Sequence, residues 1–413
     1  MKKVKLGDVG TLVTGKTPLT GNKENYNSND VRFITPEDLT SSPYNLEKSV
    51  RYISKKGLDS ILSNSISGES ILIGSIGSDM GNVGFIEGTA ATNQQINSIT
   101  KIKTDFDPKF IYYYLTQIKS YFRMISGGST TPIMPKSITE NIIISVPSFF
   151  EQKKITNILS SIDKKIELNK KINKELEQMA RELYDYWFVQ FDFPNAEGKP
   201  YKSSGGSMVF SKDYNRKIPF GWTVKMLKDI ERNIITGKTP STKVSKNFGA
   251  DIPFICIGDL RESTFVVKTK LKLSKMGGDS QKKKYIPEGS ICVSCIASPG
   301  LIAFSSENSQ TNQQLNSIVI ENDFNKYYLY FSIQSYFKCT QAKVGNTMPN
   351  MNKEDFSSIT LLSPKEETLV QYNNLVTNFF EKIKINIREN KILEDLRDQL
   401  LPMLMNGQIN IKD

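Results

Sequence analysis

Eight residues near the start of the chain, GTLVTGKT at Gly10–Thr17, match the glycine-rich pattern of phosphate-binding loops. In such loops, backbone N–H groups and a lysine bind nucleotide phosphates, and a helix begins at the Lys-Thr pair. Here Pro18 follows the threonine directly, and the next residues are rich in turn formers without apolar helical spacing. The local sequence therefore predicts a loop that is not continued by the helix of a nucleotide-binding site.

Composition restricts the other chemistry that the chain can perform. It contains no histidine, which excludes Ser-His-Asp and Cys-His catalysis and histidine metal sites. Of four cysteines, only Cys292 and Cys295 are close in sequence, and we interpret them as small residues of a buried strand, ICVSCIA. The D/N-P-P-Y/F motif of adenine methyltransferases is also absent. We expect a non-catalytic chain that binds no metal or cofactor directly.

The formal net charge is +11, and the basic excess falls in residues 1–150, 194–218 and 219–364. Such a basic excess is typical of proteins that bind a polyanion, including nucleic acid. No run of about 18 apolar residues is present, and the N-terminal stretch MKKVKLGDVG lacks the apolar region of a secretion signal. With few cysteines, these features predict a cytoplasmic protein without membrane contact.

The sequence contains the same motifs twice in the same order, at offsets between 215 and 222 residues. This pattern indicates a tandem duplication of a unit of roughly 200 residues. The second copy of the opening motif reads RNIITGKT, with Arg232 in place of Gly10, so the motif that is kept is TGKTP. The matching segments are 14–18 with 236–240, 31–39 with 252–260, 68–77 with 288–297, 92–99 with 311–318, 119–122 with 334–337, 128–134 with 345–351, and 165–177 with 382–394.

Each copy is predicted to be a mixed α/β domain followed by a long helix, which makes the fold class α+β. ESILIGSIG and GSICVSCIA are β-branched runs next to glycine and predict buried strands. No Pro or Gly interrupts Glu151 to about Trp187, or Glu366 to Leu401. The predicted domains are recognition domain 1 (1–150), helical region 1 (151–193), a Gly/Ser-rich linker (194–218), recognition domain 2 (219–364) and helical region 2 (365–413).

Both long helices carry mostly apolar residues at alternating spacings of four and three, the signal of a coiled coil. The alternative is that each helix packs only on its own domain. Antiparallel pairing with residue numbers summing to 559 brings asparagines opposite each other, and it leaves Ile162 facing Arg397 as one poor pair. The predicted pairs are Ile166 with Leu393, Asn169 with Asn390, Asn173 with Asn386, and Leu176 with Ile383.

Antiparallel pairing predicts that the two basic domains lie at opposite ends of a rod, related by an approximate two-fold axis. Duplex DNA has a matching local symmetry, and a DNA turn of about 34 Å is shorter than the predicted helices. Each domain would then bind one short block of sequence, with an uncontacted spacer between the blocks. Because the two copies differ outside the shared motifs, the two blocks should differ as well.

The combined pattern resembles the specificity subunits of type I restriction-modification systems. The resemblance covers the whole chain and depends on both TGKTP and both TNQQ motifs, IPFGW at 218–222, GSTTPIM, GNTMPNM, and ELYDYWFVQFDFP at 182–194. It implies a DNA-reading subunit that binds two methyltransferase subunits and, through them, restriction/translocase subunits. S-adenosylmethionine, ATP and Mg²⁺ are then expected in those partners. The alternatives are a stand-alone DNA-binding repeat protein without a methylase partner, and an NTPase that uses Gly10–Thr17.

Residues that can bind bases or phosphates are expected on the loops of both domains. For residues shared by both copies, such as Thr17 and Thr239, a framework or phosphate role is favoured over base reading. The TNQQ motifs remain open between building a turn and contacting DNA. The predicted DNA-binding residues are Lys16, Thr17, Arg32, Arg123, Ser129, Thr130 and Lys136 in the first copy, and Lys238, Thr239, Lys243, Lys246, Lys343, Asn346, Thr347 and Lys353 in the second.

Overall fold

The computed structural model describes residues 1–41, 44–126, 132–261, 263–344 and 350–409, without the side chains of 41 and 342–344. The chain forms two compact units. Unit 1 consists of Met1–Ile166 with Leu393–Asp413, and unit 2 consists of Glu167–Ile392. Each unit therefore combines one globular domain with parts of both long helices.

Among its described residues, unit 1 contains ten strands and seven helices, the last of which continues into unit 2, together with the end of a long helix that begins in unit 2. The strands are β1 (Lys2–Lys5), β2 (Thr11–Thr14), β3 (Val31–Ile34), β4 (Arg51–Ile53), β5 (Ser65–Ile66), β6 (Ser70–Gly74), β7 (Val83–Ile86), β8 (Ala90–Thr92), β9 (Ile96–Thr100) and β10 (Ile143–Val146). The helices are α1 (Leu6–Val9), α2 (Pro36–Ser41), α3 (Lys55–Asp59), α4 (Pro108–Gln117), α5 (Lys119–Ile125), α6 (Lys136–Asn141) and α7 (Phe149–Tyr184). Short 3₁₀ turns occupy Lys23–Asn25, Leu62–Asn64 and Gly77–Asp79.

Unit 2 follows a similar order, with the strands β11, β12 and β16 in addition. Its strands are β11 (Met208–Ser211), β12 (Arg216–Pro219), β13 (Thr223–Met226), β14 (Ile234–Thr236), β15 (Phe248–Ile255), β16 (Phe265–Val266), β17 (Leu271–Leu273), β18 (Tyr285–Ile286), β19 (Ile291–Ser294), β20 (Ile302–Ser305), β21 (Ser309–Thr311), β22 (Leu315–Ile318) and β23 (Thr360–Ser363). Its helices are α8 (Leu227–Ile230), α9 (Lys275–Asp279), α10 (Lys326–Val344), α11 (Lys353–Ser357) and α12 (Glu366–Met405). A π-turn occupies Asp185–Val189, and 3₁₀ turns occupy Ser245–Asn247, Ile257–Leu260, Lys282–Lys284 and Asp323–Asn325.

Sheet topology confirms the duplication. In unit 1 the two four-stranded sheets have the orders β2-β9-β6-β7 and β4-β3-β8-β5, and β1 pairs with β10. Unit 2 has the matching orders β14-β22-β19-β20-β16 and β17-β15-β21-β18, and β13 pairs with β23. The extra strand β16 pairs in parallel with β20. Even the parallel pair recurs, as β3 with β8 and β15 with β21.

The strands predicted from apolar runs lie at the centre of each sheet. Every residue of β6 and β19 is buried, which explains why their sequences are continuously apolar or small rather than alternating. In unit 1, Ile71 and Ile73 belong to the same hydrophobic cluster as the aromatic side chains of α4. The corresponding cluster of unit 2 contains Ile291, Val293 and the aromatic side chains of α10.

The Gly/Ser-rich segment at 194–218 is folded rather than extended as a free linker. Asp192 accepts hydrogen bonds from the backbone N–H of Ser203 at 2.7 Å and from its hydroxyl at 2.6 Å. The ring of Tyr201 stacks on Phe193 with centroids 4.6 Å apart, and Phe193 stacks on Trp222 at 5.0 Å. The β11–β12 hairpin completes the segment. Local hydrogen bonds and stacking thus give a fixed path to a segment whose composition indicated flexibility.

The first long helix begins where a capping box places it. Ser148 follows a proline, its backbone N–H donates to the Glu151 carboxylate at 3.1 Å, and its hydroxyl donates to the same oxygen at 2.8 Å. These hydrogen bonds lower the pKa of Glu151. The 36 residues of α7 make it about 54 Å long. The second helix, α12, runs past the predicted end at Leu401 and includes Pro402, whose missing N–H costs one hydrogen bond in the last turn.

The long helices pair with each other and run antiparallel. Within unit 2 the Asn169 side-chain amide donates to the Asn390 side-chain oxygen at 2.9 Å, and Asn386 donates to Asn173 at 2.8 Å. These are the two asparagine pairs expected from the heptads, and a slip of one turn would leave two of the four asparagines opposite apolar residues. Asn169 also donates to Glu389 at 2.7 Å.

Apolar positions of the predicted seam are buried or half-buried in both units. Leu176 and Ile383 belong to one hydrophobic cluster of unit 2. In unit 1, Ile166 is buried and Leu393 is half-buried. The seam predicted from spacing therefore coincides with the buried faces of both helices.

Arg397, which was predicted to face Ile162, pairs instead with Asp163, the next residue along the first helix. The Arg397 guanidinium donates to Asp163 at 2.7 Å instead of facing Ile162, and the Tyr113 hydroxyl donates to the other Asp163 oxygen at 2.5 Å. All three side chains belong to unit 1. A charge at a seam position is thus neutralised by a carboxylate next to the seam, which heptad spacing alone did not indicate.

Candidate DNA-binding surface

The apparent phosphate loop does not have the geometry of a nucleotide site. Thr11–Thr14 form strand β2, which pairs with β9 in an antiparallel register. Lys16 and Thr17 follow in an irregular loop, and the next helical turn begins only at Lys23. A P-loop needs backbone N–H groups that curve around phosphates and a helix that starts at the Lys-Thr pair. Neither arrangement is present at these residues.

In unit 1 the TGKTP loop packs against the TNQQ turn. A Cβ atom at Gly15 would lie 2.2 Å from the backbone oxygen of Asn93, so only glycine fits. The Thr17 hydroxyl donates to the Gln94 side-chain oxygen at 2.8 Å. Asn93 closes the turn by accepting from the Gln95 N–H at 3.1 Å and donating to the Gln95 side chain at 2.9 Å.

Unit 2 builds the same arrangement from its own residues. A Cβ atom at Gly237 would lie 2.1 Å from the backbone oxygen of Asn312. The Thr239 hydroxyl donates to Gln313 at 2.6 Å, and Asn312 accepts from the Gln314 N–H at 3.1 Å. Two motifs that are about 75 residues apart in each copy are therefore one structural element.

The residues of the TNQQ motif have two different roles. The asparagine and the second glutamine form the turn, as their mutual hydrogen bonds show. The first glutamine, Gln94 or Gln313, is exposed and bonded to the loop threonine. Lys16 and Lys238 are exposed beside them. Each unit thus presents a Lys-Thr-Gln trio, in which the lysine and glutamine are exposed and the threonine is half-buried. Its hydrogen-bonding groups are suited to DNA phosphates or base edges.

Three further predicted residues of the first copy have different surroundings. Arg32 on β3 donates to the backbone oxygens of Leu46 and Glu87, so its guanidinium connects two loops of unit 1. Arg123 on α5 is exposed and donates to the Ser78 carbonyl at 3.2 Å. Lys136 is exposed at the start of α6 and lies 3.5 Å from Glu140. Their role in binding DNA stays a prediction.

Three predicted lysines of the second copy are exposed: Lys243 and Lys246 in the loop after TGKTP, and Lys353 at the start of α11. Ser129, Thr130, Asn346 and Thr347 lie outside the described residues, as does the side chain of Lys343.

Sequence reasoning missed Arg51, an exposed residue at the start of edge strand β4. No hydrogen bond or ion pair of its guanidinium is found among the residues that the structure describes. It lines a cavity of about 310 Å³ together with Thr17 of the TGKTP loop. The available signal was a mismatch between copies: the residue in the same register of the second copy is Leu271.

The cysteine pair is structural, as interpreted from the strand pattern. Burial raises the pKa of the Cys292 thiol to about 12 and that of Cys295 to about 11, so both stay protonated at neutral pH. Across the described ranges, no three Cys, Asp or Glu side chains are arranged to hold a metal ion. Within the same ranges, no helix has the length and apolarity to span a membrane.

Comparison with known proteins gives the family. The family model for the type I restriction modification DNA specificity domain matches residues 1–178 and 219–395. The HindI specificity subunit of Haemophilus influenzae is 33% identical over 357 residues, which cover 73% of this chain and 77% of that protein. The MjaIX specificity subunit of Methanocaldococcus jannaschii is 29% identical over 424 residues, covering 100% of this chain and 94% of that protein.

A solved structure supports the fold. The crystal structure of the type I restriction-modification S subunit from M. genitalium superposes with a TM-score of 0.58 at 14% identity, covering 100% of this chain and 96% of that one. The two matched segments of the family model fall on the two duplicated halves described above. The chain therefore belongs to the type I restriction modification DNA specificity family, and it is the DNA specificity subunit of such a system, a non-catalytic component of the enzyme.

Proposed function

We propose that this chain binds a bipartite, asymmetric duplex DNA target, with one half-site read by each recognition domain. In this proposal the domains comprise residues 1–150 and 219–364, joined to helical regions 151–193 and 365–413 by a linker at 194–218. The observation that carries the proposal is the Lys-Thr-Gln trio with its exposed lysine and glutamine, which both units build with equivalent hydrogen bonds. Two different half-sites require two equivalent domains whose surrounding side chains differ, because the shared residues can hold the DNA while the unshared residues distinguish the bases.

The shared residues suit a common task. Lys16 and Lys238 present identical charges at equivalent loops, and identical side chains cannot by themselves distinguish two different sequences. Phosphate contacts fix the position of a protein on DNA, whereas base contacts supply specificity. We assign the shared lysines to phosphate and the unshared residues around them to bases.

Exposed apolar side chains on the long helices support the binding of methyltransferase subunits. Leu168, Met179, Leu375, Ile385 and Ile392 are each at least 48% exposed. Apolar side chains of this size on a helix surface mark protein contacts when they are grouped. We propose two methyltransferase subunits as direct partners and restriction/translocase subunits bound through them. S-adenosylmethionine, ATP and Mg²⁺ would be bound by those subunits, and the compartment would be the cytoplasm, where DNA is available.

Methylation mapping tests the DNA-binding proposal. The full chain is expressed with its methyltransferase in a host without other methylation, and the methylated positions of the DNA are sequenced. Two unequal blocks separated by a fixed number of unspecified bases are expected. A contiguous or palindromic motif would contradict the proposal. Lys16→Ala should weaken DNA binding for all sequences and reduce its salt dependence, without abolishing the ATPase activity of the DNA-bound complex.

Co-purification separates the proposal from a stand-alone DNA-binding repeat protein. Ile385→Glu with Ile392→Glu should reduce the amount of methyltransferase that co-purifies, because charge replaces exposed apolar contacts. Phe210→Glu is the control, since Phe210 is 61% exposed but lies on the β11–β12 hairpin rather than on a long helix. If the wild-type chain retains no methyltransferase, the stand-alone alternative holds. Equal loss from the control would argue against a helix-specific docking surface.

A further inference from the structure

One cavity of unit 1 lies directly beside the TGKTP loop. Its volume is about 310 Å³, and it opens to solvent between this loop and the paired strands β3 and β4. It is lined by Thr17, Thr20, Tyr26, Phe33, Arg51 and Tyr52. The Tyr26 hydroxyl donates to the Pro18 carbonyl at 2.7 Å, which fixes one wall to the motif itself. The cavity is therefore a defined surface next to the proposed phosphate contact.

The duplication separates these residues into two groups. Three are the same in unit 2, where Thr239, Thr242 and Phe254 occupy the matching positions. The other three change, because Tyr26, Arg51 and Tyr52 correspond to Phe248, Leu271 and Lys272. The strand registers establish the match, since Phe33 pairs with Arg51 and Phe254 pairs with Leu271. The site thus combines a constant frame with variable groups.

Among the three cavity residues of unit 1 that differ from unit 2, Arg51 carries the charge. It is exposed, and the described residues supply no carboxylate or carbonyl partner for its guanidinium. Arg32, on the neighbouring strand, differs because it already binds two backbone oxygens. Arg51 lies on an edge strand beside the TGKTP loop, which we assign to DNA phosphate, and its guanidinium has the fork geometry that pairs with O6 and N7 of guanine.

We propose that Arg51 is a specificity-determining residue that reads a guanine in the half-site bound by unit 1. The inference rests on the proposed function, because it assumes one half-site per unit. Leu271 has no donor for a guanine, so the matching position of the other half-site should not have this preference. The cavity beside Arg51 gives the base edge room to approach the guanidinium, with the aromatic rings of Tyr26 and Tyr52 as its walls.

Methylation mapping of Arg51→Leu in the full complex tests the proposal. The wild-type complex should prefer guanine at one position of one half-site by about 10- to 100-fold. In Arg51→Leu that preference should disappear, while the other half-site is unchanged. Lys103→Leu, which removes an exposed cation of unit 1 outside the cavity, should leave every base preference intact.

The outcomes separate base reading from other roles. Unchanged preferences in Arg51→Leu, or an equal loss of methylation at all sequences, would overturn the proposal in favour of a phosphate contact or no contact. Should Arg51→Leu fail to fold, Arg51→Lys decides: its single ammonium should weaken the guanine preference, and an unaltered preference would overturn the proposal. Failure of the proposed function is distinct, because the wild-type complex would then show no bipartite motif at all.

Discussion

The Arg397 guanidinium is the counter-charge of a carboxylate inside the helix pair, and its removal should strongly destabilise unit 1. The Asp163 side chain is only 4% exposed, whereas that of Arg397 is 30% exposed, and the two are 2.7 Å apart. The attraction of Asp163 raises the pKa of Arg397 despite the opposing effect of burial, so the arginine is charged at any working pH. Arg397→Met keeps much of the side-chain volume and removes the positive charge that faces Asp163.

The size of the effect follows from this geometry. Removing one member of a buried ion pair costs about 3–5 kcal/mol, because the remaining charge is desolvated. Arg397 is partly exposed and Tyr113 still donates to Asp163, so the lower end, about 3 kcal/mol, is expected. For a unit of this size, such a loss corresponds to a decrease in Tm of about 6–12 °C.

Urea denaturation and calorimetry of the full chain measure this loss. The double variant Asp163→Asn/Arg397→Met should regain about half of it, because a neutral amide has a smaller desolvation penalty and still accepts from Tyr113. Arg388→Met is the control, since Arg388 pairs with Glu288 at 3.4 Å with both side chains 49% exposed, and about 0–1 kcal/mol is expected. The reasoning fails if Arg397→Met costs no more than the control, or if the double variant is as unstable as the single one.

Three other predictions follow from contacts within single units. Asn169→Leu should lower the free energy of unfolding in urea by about 1–3 kcal/mol, because Asn390 loses its buried donor. Adding Asn390→Leu should recover part of that loss, and a single variant as stable as the wild type would contradict the predicted register. Gly15→Ala and Gly237→Ala should each cost at least about 2 kcal/mol, because the added Cβ would meet a backbone oxygen, whereas Gly21→Ala, with no atom within 4 Å, should be neutral. Burial raises the pKa of Glu231, so the stability that this carboxyl contributes is present below its unfolded-state pKa and is lost as pH rises through the raised folded-state value. Calorimetry between pH 4 and 7 should show that Glu231→Gln lacks this loss of stability. Parallel plots of Tm against pH for the two proteins would refute the prediction.

Several features of the site were predictable because they depend on local pattern or on the repeat. The second copy, with Arg232 in place of Gly10, indicated that TGKTP is a loop, and the structure has a strand and a loop there. The contact between TGKTP and TNQQ was not predicted, because nothing in either motif states that the two meet across more than 70 residues. The hydrogen bonds of Arg32 to two carbonyls were not predicted either, and DNA binding by this residue stays a prediction.

The sequence by itself determined the duplication, the central strands, the two long helices and their asparagine register. Each of these depends on periodicity or on repeated motifs, and side chains spaced at fixed intervals must share a helix face or alternate across a strand. Only the tertiary structure decided which side chains meet between distant segments. Asp163 pairs with Arg397, Gly15 leaves room for the Asn93 carbonyl, and Arg51 lines a cavity with Thr17, where no described residue binds its guanidinium. These outcomes depend on side-chain reach and direction in three dimensions, which residue spacing along the chain does not encode.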